Sequence, residues 1–492
     1  MKQYEFWLMA GTQTLYGDEV IRQVEEDAQA VCAALDEDPQ VVGRVVFKGA
    51  VTDSDAIERL ILAANADPDC AGIITWMHTF SPSKMWIHGL TKLQKPMLHF
   101  NTQFFRDIPW NTIDMDYMNL HQSAHGDREH GFIGARLRIP RKVIAGHWGD
   151  EKIRGRIGAW MRAAIGVYES RRLKVCRFGD NMRDVAVTEG DKVEAEIKLG
   201  WSVNGYGIGD LIALVDEVTE FDVNRTVEGY RERYTIATDN MDSVRYQARL
   251  EVALRHFLEA GGFGAYTDTF QDLQQIRQLP GLATQNLMKD GYGFGAEGDW
   301  KVAALTRVMK LMARGLPGGT AFMEDYSYHM DPENEGILGA HMLEVDPDIA
   351  SDKPRIEVHP LGIGDRESPA RLCFSTGEGE AITASLVDMG GRMRMIVNEV
   401  RACAPFEDMP KLPVARVMWK PYPDLSTSAE AWIQAGGAHH TVLSYQLTSA
   451  HLRDFCQILG IEFVLINRDT KLDAFMRDLM VSDMVWRLNP YA

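Results

Sequence analysis

The amino-acid sequence predicts an α/β protein with two doubly wound parallel-sheet (Rossmann-like) domains and a C-terminal antiparallel β-rich, barrel-like domain. Two observations predict this fold class. Strand and helix patterns alternate up to about Gly315, as they do where crossover helices join parallel strands. Beyond Gly315, extended runs separated by glycines replace that alternation, which is typical of antiparallel hairpins. We therefore expect domains at residues 1–170, 171–315 and 316–492.

The first domain opens with short apolar strands and amphipathic helices. Residues 6–10 form an apolar run, residues 18–36 repeat apolar side chains every three or four positions, and residues 41–47 are rich in β-branched side chains. Ligands of such sheets gather at the carboxyl ends of the strands. The polar loops that follow the predicted strands are therefore candidate binding segments, at residues 11–17, 78–82 and 101–103.

The later elements follow from the same patterns. Residues 173–180 repeat the strand-then-glycine entry of the first domain, and residues 242–260 have the spacing of a long amphipathic helix. Four extended runs between Pro354 and Val400 predict the hairpins of the third domain. Two short helices are expected near the end of the chain, at residues 449–459 and 471–481.

The composition excludes several classes of partner. The 492 residues carry a formal net charge of −18, whereas nucleic acids and anionic membranes require basic surfaces. No apolar run approaches the ~20 residues of a membrane span, and the N-terminal sequence lacks the layout of a signal peptide. The six cysteines are scattered without a C-x-x-C pair, which predicts free thiols in a reducing compartment. We expect a cytoplasmic protein that binds neither nucleic acid nor membrane.

The stretch GFGAEGDWK at residues 293–301 places one carboxylate, Glu297, between glycines and ahead of an apolar helical pattern. Glycines let the backbone approach a ligand, and a carboxylate at a helix N-terminus is held by free amides. The same residues also spell G-x-G-x-x-G, the dinucleotide fingerprint, which leaves a nucleotide-dependent oxidoreductase as an alternative. That fingerprint should follow a strand, whereas residues 282–291 predict a short helix that ends on glycine.

Three further residues are unusual in their apolar surroundings. Glu324 belongs to an acidic pair among aromatic residues, His341 lies in an apolar strand-like run, and His440 is the second of two histidines after a Gly-Gly turn. Burying such groups is costly unless they are paired. One divalent ion bound by Glu297, Glu324, His341 and His440 would satisfy all four. Mixed oxygen and nitrogen ligands suit Mn²⁺, with Co²⁺ or Mg²⁺ less favoured.

Each of these residues also has a purely structural interpretation. His341 alone is typical of a hydrogen-bonded core histidine, and Glu324 alone is typical of a buried ion pair with an arginine. His439 and His440 alone are compatible with a simple turn. The spacings between the four positions match no compact zinc motif. Residue types and spacing therefore leave the metal site and these structural roles open.

Several longer strings carry a resemblance to a known family. They are GTQTLYG at 11–17, WMHTFSPSKMW at 76–86, CRFGDNMR at 176–183, GDWK at 298–301, FMEDY at 322–326 and AGGAHHT at 435–441. In this order and nearly end to end, the chain resembles the L-arabinose isomerase family. The resemblance implies a manganese-dependent aldose–ketose isomerase with two α/β domains and a β-rich C-terminal domain. It also implies a homohexamer built from two trimers.

The resemblance also assigns roles to individual residues. Glu297, Glu324, His341 and His440 are the implied metal ligands, and the two glutamates are the implied catalytic acid–base pair. The implied sugar-binding residues are Gln13, Leu15, Phe80, Met182, Phe270, Ile363 and His439, with Gln122 and His125 reaching a neighbouring subunit's site. The sequence departs from the family pattern at Thr14 and at Gly205-Tyr206, and both departures bear on sugar preference.

The implied reaction moves a proton between C2 and C1 of the sugar through an enediol, with L-arabinose and L-ribulose as the pair and D-galactose and D-tagatose as a slower one. A fucose-type isomerase of 6-deoxy sugars is the alternative within enzymes, and it would need an apolar pocket for the C6 methyl group. A sugar-binding sensor without catalysis is the alternative outside enzymes. Such a sensor should lack at least one of the four ligands, and all four are present.

Overall fold

The computed structural model describes residues 4–363 and 365–488. The chain divides into two compact units. Unit 1 comprises Met1–Tyr168 and Arg453–Gly460, and unit 2 comprises Glu169–Leu452 and Ile461–Ala492. The division into three domains at 170 and 315 stays a prediction, although unit 2 contains the two different kinds of sheet on which it was based.

Unit 1 is built on a five-stranded, all-parallel sheet with the strand order β2-β1-β3-β4-β5. Its elements are β1 (Glu5–Gly11), α1 (Asp18–Asp36), β2 (Arg44–Val51), α2 (Ser54–Ala66), β3 (Cys70–Met77), α3 (Ile87–Leu90), β4 (Met97–Asn101), α4 (Met115–Leu120), α5 (Ser123–Arg136), β5 (Lys142–Ala145) and α6 (Glu151–Ser170). Successive residues of β1 belong to two different apolar clusters. Phe6 and Leu8 pack into one cluster, and Trp7 and Met9 pack into the other. Because side chains alternate along a strand, both faces of this sheet are covered, which is the doubly wound arrangement.

Unit 2 begins with a second parallel sheet and ends with antiparallel strands. Its elements are β6 (Lys174–Phe178), α7 (Lys192–Leu199), β7 (Ser202–Tyr206), α8 (Ile208–Glu217), α9 (Glu220–Arg233), β8 (Thr235–Ile236), α10 (Met241–Gly261), β9 (Ala265–Thr267), α11 (Gly281–Lys289), β10 (Gly293–Gly295), α12 (Trp300–Ala313), β11 (Thr320–His329), β12 (Gly336–Ala340), β13 (Arg355–Val358), β14 (Ala370–Cys373), β15 (Gly379–Asp388), β16 (Met393–Cys403), β17 (Arg416–Pro421), α13 (Leu425–Ala435), β18 (His440–Ser444), β19 (Glu462–Ile466) and α15 (Leu472–Leu488). Helix α14 (Ser449–Leu459) starts in unit 2, and its residues from Arg453 onward belong to unit 1. The parallel sheet has the order β10-β9-β6-β7, and β14-β13-β8 form a small separate sheet.

The remaining strands of unit 2 close into a barrel. The sheet order is β15-β18-β11-β12-β17-β16-β19, and β15 also pairs with β16. The first six strands therefore form a closed ring in which every pair is antiparallel, and β19 adds to β16 in parallel. Closure removes the exposed strand edges that an open sheet would present. The predicted fold class, two parallel sheets followed by an antiparallel barrel, is confirmed.

Two details differ from the sequence-based expectation. The hairpin of β13 and β14 lies outside the barrel, because β13 pairs with β8 from the first part of unit 2. The last helix, α15, continues to Leu488 rather than ending near residue 481. Among the described residues, no helix combines the length and apolar character that a membrane span requires.

Candidate active site

Glu297 lies in the short loop between β10 and α12. Its backbone has a φ of +61°, the left-handed region that non-glycine residues rarely occupy. The carbonyl of Glu297 accepts a hydrogen bond of 2.9 Å from the amide of Met182. The cap of α12 is Asp299, whose side chain accepts from the Val302 amide. The expectation that helix amides hold Glu297 itself is therefore wrong, because Glu297 lies two residues ahead of this cap.

The glycines around Glu297 have structural roles that account for the G-x-G-x-x-G pattern. Gly293 and Gly295 are part of strand β10, which packs against α12. A Cβ on Gly293 would lie 2.1 Å from the Ala303 carbonyl oxygen, and one on Gly295 would lie 2.3 Å from Val302 Cγ1. Gly298 has a φ of +78°, and a Cβ there would lie 2.5 Å from the Asn181 Cα. The glycines therefore allow close packing of strand, helix and loop, and helix α11 precedes them, as expected.

The register of the barrel strands brings Glu324 beside both histidines. In the antiparallel pair β11–β18, Glu324 lies directly opposite His440. In the pair β11–β12, Glu324 lies opposite Ala340, and His341 is the next residue. Residues that face each other across antiparallel strands project from the same face of the sheet. Strand pairing thus places Glu324 and His440, His341 follows directly after strand β12, and the Glu297 loop supplies the fourth predicted ligand.

The four side chains converge without bonding directly to each other. The distance from His341 Nε2 to Glu324 Oε2 is 3.8 Å, and that from His440 Nε2 to Glu297 Oε2 is 3.7 Å. These separations exceed hydrogen-bond range. The Nε2 atom of His440 is buried and has no hydrogen-bond partner among residues 4–363 and 365–488. Because a buried polar atom normally has a partner, this atom and the mixed carboxylate–imidazole donors fit a divalent metal ion.

Each histidine is oriented through its other ring nitrogen. His341 Nδ1 lies 2.5 Å from Glu344 Oε2, and His440 Nδ1 lies 3.2 Å from Asp299 Oδ2. Lys301 holds Asp299 in turn, with its ammonium 3.2 Å from the carboxylate. A carboxylate bound to Nδ1 fixes the ring and leaves Nε2 available, the usual support of a metal-bound histidine. The sequence analysis missed Glu344 and Asp299, although their positions three after His341 and two after Glu297 carried a signal.

The charges of the cluster favour a cation. The His439 imidazole, with Nε2 3.8 Å from Glu297 Oε2, lowers the pKa of that carboxyl more than burial raises it. Burial alone would lower the pKa of His341, but the charge and hydrogen bond of Glu344, together with the charges of Glu324 and Glu297, raise the pKa above its usual value. Burial likewise opposes ionisation of Asp299, and the Lys301 charge and His440 together lower the pKa of Asp299. An arrangement that stabilises positive charge on its imidazoles also stabilises a metal cation bound to them.

A cavity of about 220 Å³ opens onto these groups. It is lined by five of the predicted site residues, Glu297, Glu324, His341, Phe270 and Ile363, and by Asp268, Leu279, Ala296, Tyr326, Met342, Leu343 and Glu344. Asp268 was not predicted. Burial, together with the nearby charge of Glu344, raises the pKa of its carboxyl to about 7. Met182 contacts the site through its backbone amide, and His439 lies beside Glu297.

The other five predicted sugar-binding residues belong to unit 1, in the loops after β1 and β3 and at the start of α5. There Gln122 donates a 2.9 Å hydrogen bond to the Tyr16 hydroxyl, and His125 Nδ1 lies 3.0 Å from Gln122 Oε1. The rings of His125 and Phe80 stack with their centroids 4.4 Å apart. Gln13 precedes a 3-10 turn at Thr14–Tyr16, and the Leu15 side chain is 79% exposed. Their place in the sugar pocket stays a prediction.

Two further features of the sequence have local structural explanations. Tyr206, one of the departures from the family pattern, packs its ring on Phe257 and Phe263 and is not among the residues that line the cavity. Among the described residues, two groups bring three potential ligand atoms within 4.8 Å of one another: Glu297, His439 and His440 at the cavity, and Asp27, His78 and His121 in unit 1. Asp27 and His78 share a 2.7 Å hydrogen bond, and burial lowers the pKa of His121 to about 4. The rings of His78 and His121 stack with centroids 5.3 Å apart.

Comparison with known proteins extends over the whole chain. Models of the L-arabinose isomerase N-terminal, central and C-terminal domains match residues 1–172, 174–315 and 319–462. The L-arabinose isomerase of Geobacillus stearothermophilus is 57% identical over 493 residues, which covers 99% of each chain. Those of Anoxybacillus flavithermus and Thermotoga neapolitana are 56% and 53% identical, over 99% of this chain and at least 98% of theirs. The chain, whose barrel and Glu297 loop assemble the two glutamates and two histidines described above, therefore belongs to the L-arabinose isomerase family.

Proposed function

We propose that Glu297 and Glu324 are the acid–base pair with which this chain interconverts L-arabinose and L-ribulose. The observation that supports this proposal is the convergence of two carboxylates on one small cavity, each beside an imidazole. Moving a proton between C2 and C1 needs one group to remove it and one to manage the hydroxyl proton. A fucose-type reaction is not favoured, since the matching relatives act on L-arabinose by name.

The carboxylates are suited to these roles by their surroundings. Glu297 is held ionised by His439, as a proton acceptor must be. Glu324 belongs to strand β11, whereas Glu297 belongs to a loop, and both line the same cavity. Phe270, Leu279 and Ile363 supply apolar wall that limits water around the reacting carbons. A slower reaction on D-galactose is part of the proposal. Both aldoses carry an aldehyde at C1 and a hydroxyl at C2, the two carbons between which the proton moves.

We also propose that Glu297, Glu324, His341 and His440 hold one Mn²⁺ ion, with Co²⁺ or Mg²⁺ as substitutes. When bound, the ion would act as a Lewis acid that stabilises negative charge on the sugar oxygens O1 and O2. The support is the unpartnered Nε2 of His440 and the Glu344 and Asp299 contacts that leave both Nε2 atoms free. Replacing each glutamate by glutamine, with turnover and bound metal measured on the same sample, tests the assignment.

We further propose a homohexamer, a dimer of trimers, in which Gln122 and His125 serve a neighbouring subunit's site. Two exposed apolar surfaces support an oligomer, because monomers rarely leave such areas uncovered. The first lies just ahead of Gln122 in unit 1 and contains Phe105, Ile108, Trp110, Ile113, Met115 and Met118. The second runs along α15 in unit 2 and contains Met480, Val481, Met484, Val485 and Leu488. Two kinds of interface are what a dimer of trimers requires.

Mixing two inactive variants is expected to restore activity if sites are shared. His125 belongs to unit 1 and Glu297 to unit 2. In a shared site, one chain would supply Glu297 and the neighbouring chain would supply His125. After co-refolding of His125→Ala with Glu297→Gln chains at equal amounts, about a quarter of the sites should be free of both lesions. Activity is measured on hexamers of about 330 kDa, six chains of 55.3 kDa each, shown by mass spectrometry to be mixed. Each variant refolded alone is the control, and no recovery in mixed hexamers would contradict shared sites.

A cytoplasmic location completes the proposal. All six cysteines are free thiols. Burial raises the pKa of Cys32 and of Cys70 to about 11, so both thiols are poorly reactive. Six free thiols in one chain are typical of a reducing compartment.

A further inference from the structure

Asp268 is a buried carboxylate that lines the cavity and has no hydrogen-bond donor within residues 4–363 and 365–488. It follows strand β9 and is only 7% exposed, and it is among the residues that line the cavity. No described residue donates a hydrogen bond to its carboxylate, and its oxygens are not among the fully enclosed atoms without a partner. The carboxylate is therefore accessible through the cavity, and its hydrogen-bonding capacity is left for whatever the cavity contains.

The position of Asp268 is fixed relative to Glu297. Strands β9 and β10 are parallel, and Thr267 pairs with Gly295, so the residues after each strand emerge side by side. The Asp268 carbonyl accepts a 2.9 Å hydrogen bond from the Gly298 amide, in the loop that carries Glu297. The carboxylate is thus presented by a rigid strand end, which is how specific polar groups are usually placed in a sugar pocket.

We propose that Asp268 binds the substrate by accepting a hydrogen bond from one of the sugar hydroxyls on C3, C4 or C5. This inference rests on the proposed acid–base function of Glu297 and Glu324. In that function both glutamates act on C1 and C2 of the sugar in the same cavity. The remaining hydroxyls of the sugar are donors, and a buried carboxylate without a donor is the group most in need of one. Asp268 is in this role a residue that positions substrate and determines specificity.

Two substitutions test the role of the carboxylate. Asp268→Ala should raise KM for L-arabinose by roughly 10- to 100-fold, the usual effect of losing a hydrogen bond to a charged group. Asp268→Asn should recover part of that loss, because its amide oxygen still accepts a neutral hydrogen bond. Mn²⁺ binding, measured by titration calorimetry, should stay at the wild-type level in both variants. Glu220→Gln, a carboxylate-to-amide change at an exposed ion pair in the same unit, is the control and should leave KM unchanged.

Deoxy sugars identify the hydroxyl. The wild type and Asp268→Ala are each assayed on L-arabinose and on its 3-deoxy, 4-deoxy and 5-deoxy analogues. On the analogue that lacks the partner hydroxyl, the two proteins should have kcat/KM values equal within a factor of about three, because the shared interaction is already absent. The same loss on L-arabinose and all three analogues would overturn the proposal, as would an unchanged KM or a loss of Mn²⁺ affinity in the variants. Absence of Mn²⁺-dependent turnover in the wild type would count against the proposed function instead.

Discussion

Replacing Glu297 or Glu324 by glutamine is expected to lower kcat for L-arabinose by about 10²- to 10⁴-fold, the usual contribution of general acid–base catalysis. Glutamine keeps the shape of the side chain and one oxygen, but it neither accepts nor donates the transferred proton at neutral pH. Both side chains line the cavity and are partly exposed, so the fold should survive the change. L-Ribulose formation under saturating sugar and Mn²⁺ measures kcat.

The metal content of the same samples separates chemistry from ligand loss. Glu220→Gln, at a carboxylate that is 66% exposed and is not among the residues that line the cavity, controls for the loss of one negative charge. Turnover near that of the wild type in either variant, at one bound Mn²⁺ per chain, would dismiss the proposed pair.

His341→Ala and His440→Ala are expected to lose most of their affinity for Mn²⁺. Each removes a nitrogen whose ring is fixed by a carboxylate, Glu344 for His341 and Asp299 for His440. Supporting residues of a metal ligand typically contribute 10- to 100-fold in affinity, so loss of the ligand itself should cost at least about 100-fold. Titration calorimetry on metal-free protein measures the affinity without depending on activity.

His439→Ala is the matched comparison for His440→Ala. The two histidines are adjacent in sequence, and both Nε2 atoms lie within 3.8 Å of Glu297, but the His439 side chain is 38% exposed while that of His440 is fully buried. Among the described residues, no carboxylate is hydrogen-bonded to Nδ1 of His439, in contrast to His440. His439→Ala should therefore retain more Mn²⁺ affinity than His440→Ala, and the opposite ranking would show that the two assignments are reversed.

The alternation of strand and helix patterns predicted the parallel sheets, because each element there is short and locally amphipathic. A barrel-like domain was predicted, but the strands that close the barrel could not be, since β15 pairs with both β16 and β18 and the second pairing joins strands far apart in sequence. The same limit explains β13, whose partner β8 lies more than a hundred residues earlier. Local patterns identify strands, whereas pairing between distant strands depends on packing that one sequence does not display.

Residue types alone left the site open, and the family resemblance selected Glu297, Glu324, His341 and His440. The structure pairs Glu324 with His440 across β11 and β18, places His341 directly after β12, and adds Glu297 from the loop ahead of α12. Glu344, Asp299 and Asp268 were missed because a carboxylate in a loop has many ordinary roles, and only the distances to His341, His440 and the cavity distinguish them. Helix α11 precedes the glycine pattern as expected, whereas strand β10, which contains its first two glycines, was not predicted.

The most direct test of the central claim is the formation of L-ribulose by metal-free protein before and after Mn²⁺ is added. Chelator-treated protein, with its metal content checked by mass spectrometry, is assayed with L-arabinose alone and then with one equivalent of Mn²⁺ per chain. We expect no turnover above background in the metal-free sample, and restoration by Mn²⁺ in the wild type but not in His440→Ala. Full activity of protein that contains no metal would contradict the proposal that Glu297, Glu324, His341 and His440 act through a bound ion.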